Sequence, residues 1–438
     1  MKKLSMMLVL VSGYVFSYDL SAVYNAALNH DPDVIDANLS LDKSEYDFNK
    51  SYSPFLPQVD LSYSYTPKNS TSSSFSLMPE KSITITANQK LYSYSDWSRY
   101  FGSEFSYKIS LLQRKKSDHM HIIKIVKSYF AVIQAQLEYS LALSNRNANQ
   151  KSYENTKMEL TQGIVNNADF ATAKSTFISS KSVVLEKKKL LLLSAYELKS
   201  YTGISFNKLS FIDNKKFKLK YPEKDLNYWL DLSRKNNTDY LISKLKTKVA
   251  ESEKNAINGA FLPTVTAGIR SVKDTTDGFI DGPDANITAS LTVSVPLFSG
   301  MKNVNSSLAA KIDYRKAQNN EQKELYSLNK EVESKYFAVL LEISNVKSKI
   351  EEVAAKKAML DAVQADLYSG TSTIVDLLRD RIAYYQSLAK LSHSKHSYIL
   401  ATLSLYEVCG ILNRDHLSQF NSMLSSKSTT LNLNFEPV

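Results

Sequence analysis

The chain repeats itself at a nearly fixed distance, and this constrains it more than any other property. Phe55-Leu56-Pro57 returns as Phe261-Leu262-Pro263, an offset of 206 (263 − 57). Asp33 answers to Asp239, and Leu91-Tyr92-Ser93 to Leu297-Phe298-Ser299, again at 206. Later landmarks keep an offset of 207: Tyr129-Phe130-Ala131-Val132 and Tyr336-Phe337-Ala338-Val339, Gly163 and Gly370, Asp169 and Asp376, Gly203 and Gly410. Chance does not hold one spacing across so many landmarks. The chain is a tandem duplication, and its fold must build one unit twice.

Each unit reads as helix, hairpin, long helix, turn, helix. In the first hairpin Val59, Leu61, Tyr63 and Tyr65 alternate with Gln58, Asp60, Ser62 and Ser64, and Ser82 to Leu91 alternates likewise. The second hairpin repeats this with Val265, Ala267 and Ile269, then with Ile287 through Leu297. A period of two with β-formers on one side signals strands. Pro57 and Pro263 open strands, and Pro296 ends the last and redirects the chain into a helix from Met301. Polar loops, 66–80 and 271–285, close the two hairpins.

Between hairpin and turn the period becomes helical. Ile122, Val126, Tyr129, Ile133, Leu137 and Leu141 recur at three and four. At ~1.5 Å per residue the stretch from Asp96 to Leu160 makes a rod of roughly 100 Å. In the second unit Val332, Tyr336, Val339, Ile343, Val346, Ile350 and Val353 step by four and three. That is a coiled-coil seam or the buried face of an ordinary bundle. Only 11 Gly and 10 Pro in 438 residues suit such long helices. The reversals fall at Gly163 and Gly370, which can take the left-handed angles that end a helix and can act as hinges. Thr373 caps the next helix, with Asp376 in its first turn.

The layout that follows is 1–17 a secretory signal, 18–203 the first repeat, 204–225 an irregular basic connector, 226–412 the second repeat and 413–438 a loosely held polar tail. Lys2 and Lys3 followed by apolar Leu4 to Val15 carry the signal reading, against an N-terminal core helix. No later stretch is apolar enough for a membrane-spanning helix. Four strands with one apolar face suit a wall with lipid outside and water inside. Four strands cannot close, and open edges do not survive in lipid. At least about eight strands are needed, so the chain must oligomerise; three copies supply twelve. Tyr63, Tyr65, Tyr92, Tyr94 and Phe298 suit an aromatic belt at the membrane interface. A soluble sheet with one buried face is the alternative.

Catalysis finds no support. The six histidines are scattered, with His393 and His396 on one helix face and His119 and His121 not, and Cys409 is the single cysteine, which excludes an internal disulfide. No nucleophile motif, phosphate loop or dinucleotide fingerprint occurs, so neither cofactor, metal nor enzymatic activity is expected. The net charge of +10 is read as a mixed helix surface, since an exported protein rarely meets nucleic acid.

The duplicated Phe-Leu-Pro, Ser294-Val295-Pro296-Leu297-Phe298-Ser299-Gly300 and the run from Gly370 through Thr371, Ser372, Thr373, Ile374, Val375 and Asp376 carry a family resemblance. The chain resembles the outer-membrane efflux (TolC) family of trimeric channel-tunnels over nearly its whole mature length. The resemblance implies a mainly α homotrimer with a twelve-stranded outer-membrane β-barrel on a long periplasmic helical barrel. It implies passive export of drugs, toxic small molecules or secreted polypeptides from a Gram-negative periplasm. Its partners would be a periplasmic adaptor and an inner-membrane RND or ABC transporter. By the same resemblance the helix turns close the entrance. Asp376 matches an acidic ring position and Asp169 the acidic gate residue of the first repeat. Arg379 stands where the family often has a second acid, Ser372 where a gate arginine is known, and Tyr368 about one residue from a latch tyrosine. A trimeric coiled-coil adhesin, without channel activity, is the competing reading.

Overall fold

The computed structural model describes residues 18–68, 78–274, 285–369 and 371–433. The signal stretch 1–17, most of both hairpin loops and Gly370 lie outside the described residues. The chain divides into two compact units: one of residues through Asp36, Lys116–Asn237 and from Leu328 on, the other Ala37–Lys115 and Thr238–Ser327.

In chain order the elements are α1 (Leu20–Leu28), α2 (Pro32–Lys50), β1 (Gln58–Lys68), β2 (Met78–Tyr92), α3 (Tyr94–Thr161), α4 (Asn167–Thr202), β3 (Lys208–Ile212), α5 (Leu226–Asn236), α6 (Thr238–Asn258), β4 (Thr264–Asp274), β5 (Asn286–Ser294), α7 (Lys302–Tyr368), α8 (Ile374–Val408), α9 (Arg414–Asn421) and β6 (Leu424–Thr430). The two long helices α3 and α7 have 68 and 67 residues, so neither a glycine nor a proline interrupts what the periodicity promised except Gly102.

The second unit holds a four-stranded antiparallel sheet in the order β1-β2-β4-β5. The duplicated Phe-Leu-Pro acts identically in both repeats. A 3₁₀ turn ends at the Phe, and the Leu before each proline is extended, at φ −102°, ψ 154° for Leu56 and φ −95°, ψ 156° for Leu262. That is the conformation proline imposes on its predecessor. Pro57 and Pro263 therefore launch β1 and β4, and Pro296 lies just past β5, where Gly300 and Met301, both at positive φ, lead into α7. The registers Leu61↔Ile85, Ile85↔Ser271 and Ile269↔Ala289 keep odd-numbered residues on one face across all four strands. The apolar side chains stay exposed in the single chain: Leu61 is 73% and Ile287 73% accessible. The outer edges of β1 and β5 have no strand beside them among the described residues. Tyr63, Tyr65, Tyr92, Tyr94 and Phe298 are all exposed, as an aromatic belt requires.

The first unit packs α1, the later parts of α3 and α7, α4, α5, α8 and α9 around Leu20, Ile125, Tyr129, Leu191, Ile343 and Ile399. The α7 seam is buried at Val332, Val339, Ile343 and Val346 and emerges at Ile350, which is 43% exposed. Two expectations fail here. The connector 204–225 is not wholly irregular, because it contains β3, and the stretch 413–438 is not a loose tail, because α9 and β6 occupy much of it. β3 and β6 pair antiparallel, Lys208 opposite Thr430. Neither strand is legible alone, since Ser425, Ser426, Ser428, Thr429 and Thr430 give β6 no apolar alternation. The pairing across more than 200 residues and the burial of Leu417, Phe420, Met423, Leu424 and Leu431 order this end instead.

Candidate functional site

The helix reversals at the end of α3 and of α7 form the candidate site. In the first, Gly163 takes φ 74°, its amide donates to the Leu160 carbonyl (3.1 Å), and the Ile164 amide reaches back to Glu159 (2.9 Å). This is a Schellman stop, which satisfies carbonyls the helix end leaves open. Asn166 then caps α4, its side chain accepting the Asp169 amide at 2.9 Å. The second reversal repeats the plan at 207: the Thr371 amide reaches back to Asp366 (2.9 Å) and Thr373 caps α8. Ser372 is half-buried, its amide also donating to the Asp366 carbonyl at 3.3 Å.

The chemistry of the two turns differs. Asp169 is exposed beside a groove of about 300 Å³ between α3 and α4, lined among others by Thr156, Glu159, Val165 and Thr172. Asp376 is held on three sides. The Thr373 hydroxyl donates to it at 2.6 Å, the Thr373 amide at 3.3 Å, and Arg379 forms an ion pair at 2.9 Å. The Thr373 contacts first, then Arg379, keep its carboxyl below the ordinary range. Thr373 and Asp376 thus form the capping box expected from their spacing. The local pairing of Asp376 with Arg379 is present within one protomer.

Tyr368, the last residue of α7, is 85% exposed. Asp380, next to Arg379, is buried, and its Oδ2 has no hydrogen-bond partner among the described residues. Nothing in the sequence flagged that burial, because an acid beside a basic residue on a helix reads as surface. A second unflagged cluster joins Asp31, His121 and Lys124. His121 Nδ1 and Lys124 Nζ each lie 3.0 Å from the buried Asp31 carboxylate. Burial opposes the charge of Asp31, but the bonds from Lys124 and the Asp33 amide outweigh it and lower its pKa. The partners are some 90 residues apart, so no local motif announces them. Among the described residues no group of His, Cys, Asp or Glu is arranged to hold a metal ion.

Comparison with known proteins follows the same outline. The family described as outer membrane efflux protein matches residues 23–204 and 229–411, one match per repeat. The outer membrane protein TolC of Vibrio cholerae is 24% identical over 426 residues, covering 94% of this chain and 95% of that protein. Among solved structures, the CmeC outer membrane channel of Campylobacter jejuni superposes with a TM-score of 0.75 at 16% identity, over 92% of this chain and 89% of that one. The open state of the MtrE outer membrane channel of Neisseria gonorrhoeae gives 0.72 at 16% identity, over 90% of each chain.

Proposed function

The chain belongs to the outer membrane efflux protein family, and from that premise we propose how its parts work as an exit channel. As a member of that family it is an outer-membrane efflux channel, mostly helical, with its β part in the membrane and its helices in the periplasm. The adhesin reading has no support, since a stalk needs neither membrane hairpins nor duplicated helix turns. One observation carries the mechanism: a four-stranded sheet with an exposed apolar face and two edges that no strand covers among the described residues. In lipid the bare edges leave backbone groups unsatisfied, so β5 of one copy pairs with β1 of the next until three copies close a ring of twelve strands. The polar face then lines water.

The helix turns form the periplasmic gate. Asp376 and Asp169 put acid at the narrow end, Arg379 moderates Asp376, and Ser372 and Tyr368 belong to the same gate. Gly163 and Gly370 are the hinges about which the turns splay. Three Asp376 carboxylates around one axis concentrate negative potential and favour cations. An inner-membrane RND or ABC transporter, reached through a periplasmic adaptor, supplies the energy, and the passengers are drugs, toxic small molecules or secreted polypeptides.

Planar-bilayer recording of the purified protein tests both layers. Long-lived conductance is expected, and its absence defeats the channel. Asp376→Ala is expected to move the reversal potential in a KCl gradient away from cation preference. An unmoved reversal potential leaves Asp376 as a helix cap alone.

A further inference from the structure

The apolar face of the sheet carries basic side chains at one end only. By register this face holds Val59, Leu61, Ile85, Ile269 and Leu291. Among the described strand residues it also holds Lys81 of β2 and Lys273 of β4, and neither arginine, histidine nor any acid accompanies them there. Asp60, Lys68, Glu80, Lys90, Arg270 and Asp274 all fall on the opposite face. The two lysines stand on adjacent strands. Ile83 lies opposite Lys273, and Lys81 is two residues farther along β2 toward its loop. They are therefore diagonal neighbours, about 7–8 Å apart at the backbone and within reach of each other's long stems. Tyr65 lies opposite Lys81 and Tyr63 opposite Ile83. Both tyrosines are exposed, and both lysines are half-buried.

Charge on a lipid-facing strand is costly at the middle of a bilayer and nearly free at its edges, so the lysines mark an edge. From Tyr92 at the helix end of β2 to Lys81 is eleven residues (92 − 81). That is roughly 36 Å of strand and, at a tilt of about 40°, roughly 28 Å of height, close to the ~25 Å apolar band of such barrels. Lys273 starts lower, by a distance that a snorkelling lysine stem covers. With the helices in the periplasm, this edge belongs to the outer leaflet. We infer that Lys81 and Lys273 form a binding site for the phosphate of an outer-leaflet lipid, one site per protomer. Two ammonium groups converging on one phosphate make charge-assisted hydrogen bonds from both sides. Tyr63 and Tyr65 suit the headgroup level beside it. Ile83, Ile85 and Ile269 continue the face below the lysines as an apolar path for acyl chains, which a free phosphate would not use. The inference rests on the membrane placement of the sheet proposed above. It does not rest on closure of the ring, because β2 and β4 are the two inner strands of one protomer's sheet.

The assay is native mass spectrometry of the assembled full-length protein in detergent, titrated with bisphosphorylated lipid A, with the same glycolipid stripped of its phosphates, and with inorganic phosphate. Saturable binding of the bisphosphorylated form is expected, at one per protomer, and neither of the other two should match it. K81Q and K273Q should each weaken binding about fivefold and the double variant about 25-fold, while K81R/K273R should retain it. R270Q removes a cation from the opposite face and should change nothing. The single variants are independent, so failure of one to assemble leaves the other to decide. Equal binding of the two glycolipids, undiminished binding by K81Q/K273Q, or an equal loss in R270Q overturns the site. Planar-bilayer conductance of K81Q/K273Q should equal that of the wild type, which separates the site from the channel. A wild-type protein that binds the lipid through these lysines and does not conduct would defeat the channel and leave the site.

Discussion

Lys188 and Lys395 stand 207 residues apart (395 − 188), at equivalent places in the two repeats, and both are buried, at 3% and 4% exposure. Each donates to an asparagine just beyond a strand: Lys188 to Asn432 after β6 (3.0 Å), Lys395 to Asn214 after β3. Each also lies over an aromatic ring, Tyr139 and Phe217, at 4.8 and 4.9 Å. The duplication thus preserved the anchor, while the segments anchored share no visible sequence. The difference lies in what is held. Lys188 also binds the main-chain carbonyl of Asn432, whose amide donates to Gln136. Lys395 holds an amide side chain, and burial pulls its pKa down against the opposing charge of Asp213. Buried charge survives in both repeats only because each ammonium has an oxygen and a ring to face.

Other equivalent positions diverged further. Tyr52, Trp97 and Tyr100 form an aromatic brace below the first hairpin, with Phe55 and Trp97 rings 4.4 Å apart and the Tyr52 and Tyr100 rings 4.7 Å apart. The second repeat has Asn258, Asn303 and Ser306 at those positions and braces with amides instead, Ser307 donating to Asn258 at 2.7 Å. The geometry the brace must hold is common to both, and two chemistries satisfy it.

The largest break in the equivalence is expected at the glycines that end α4 and α8. Gly203 and Gly410 have φ 70° and 68°. A Cβ on Gly410 would run into the Asn236 carbonyl, whereas on Gly203 it would meet the movable ring of His30 at 2.9 Å. Gly203→Ala should cost the left-handed strain alone, roughly 1–2 kcal/mol. Gly410→Ala should add about 1–3 kcal/mol of overpacking. Thermal unfolding of the two variants in detergent compares them; equal losses would mean that the Asn236 backbone yields freely.

The anchors come next. Lys188→Met should leave the Asn432 carbonyl unsatisfied at a cost of about 1–3 kcal/mol and expose the C-terminal strand to protease. Lys395→Met, which frees only an amide side chain, should cost less and leave that strand protected. Protease resistance of the tail in the Lys188 variant would deny the anchor its purpose.

The smallest effect depends on pH. His396 stacks on Phe130 at 4.3 Å, and burial, then His393 and Lys395, push its pKa down to about 3. Its counterpart Lys189 is exposed. A depressed pKa means the unfolded chain takes the proton first. This residue's stabilisation is therefore full above pH ~6.5 and is lost as pH falls toward 3, at up to ~1.4 kcal/mol per unit. His396→Phe should flatten the melting temperature between pH 6 and 4, and Lys189→Phe should not. Identical slopes in both would assign the acid sensitivity elsewhere.

Much of the fold was readable because it is local or duplicated. The Phe-Leu-Pro turns, the alternation of β1, β2, β4 and β5, the glycine stop at 163 and the Thr373–Asp376 box follow from neighbours within a few residues. The offset of 207 then said which pieces correspond. At the candidate site, Asp376 and Arg379 were readable as a helix-turn pair, but the burial of Asp380 was not. Burial is set by tertiary packing, and sequence spacing carries no trace of it.

The sequence by itself determined the repeated plan, the places where the chain reverses, and the need for partners, since period, turn chemistry and strand count are properties of the covalent chain. Only the tertiary structure decided that β3 and β6 meet and that Lys188 and Lys395 are interior. Each depends on which distant strand or helix lies alongside. That choice follows from packing summed over the whole molecule, which no short stretch records.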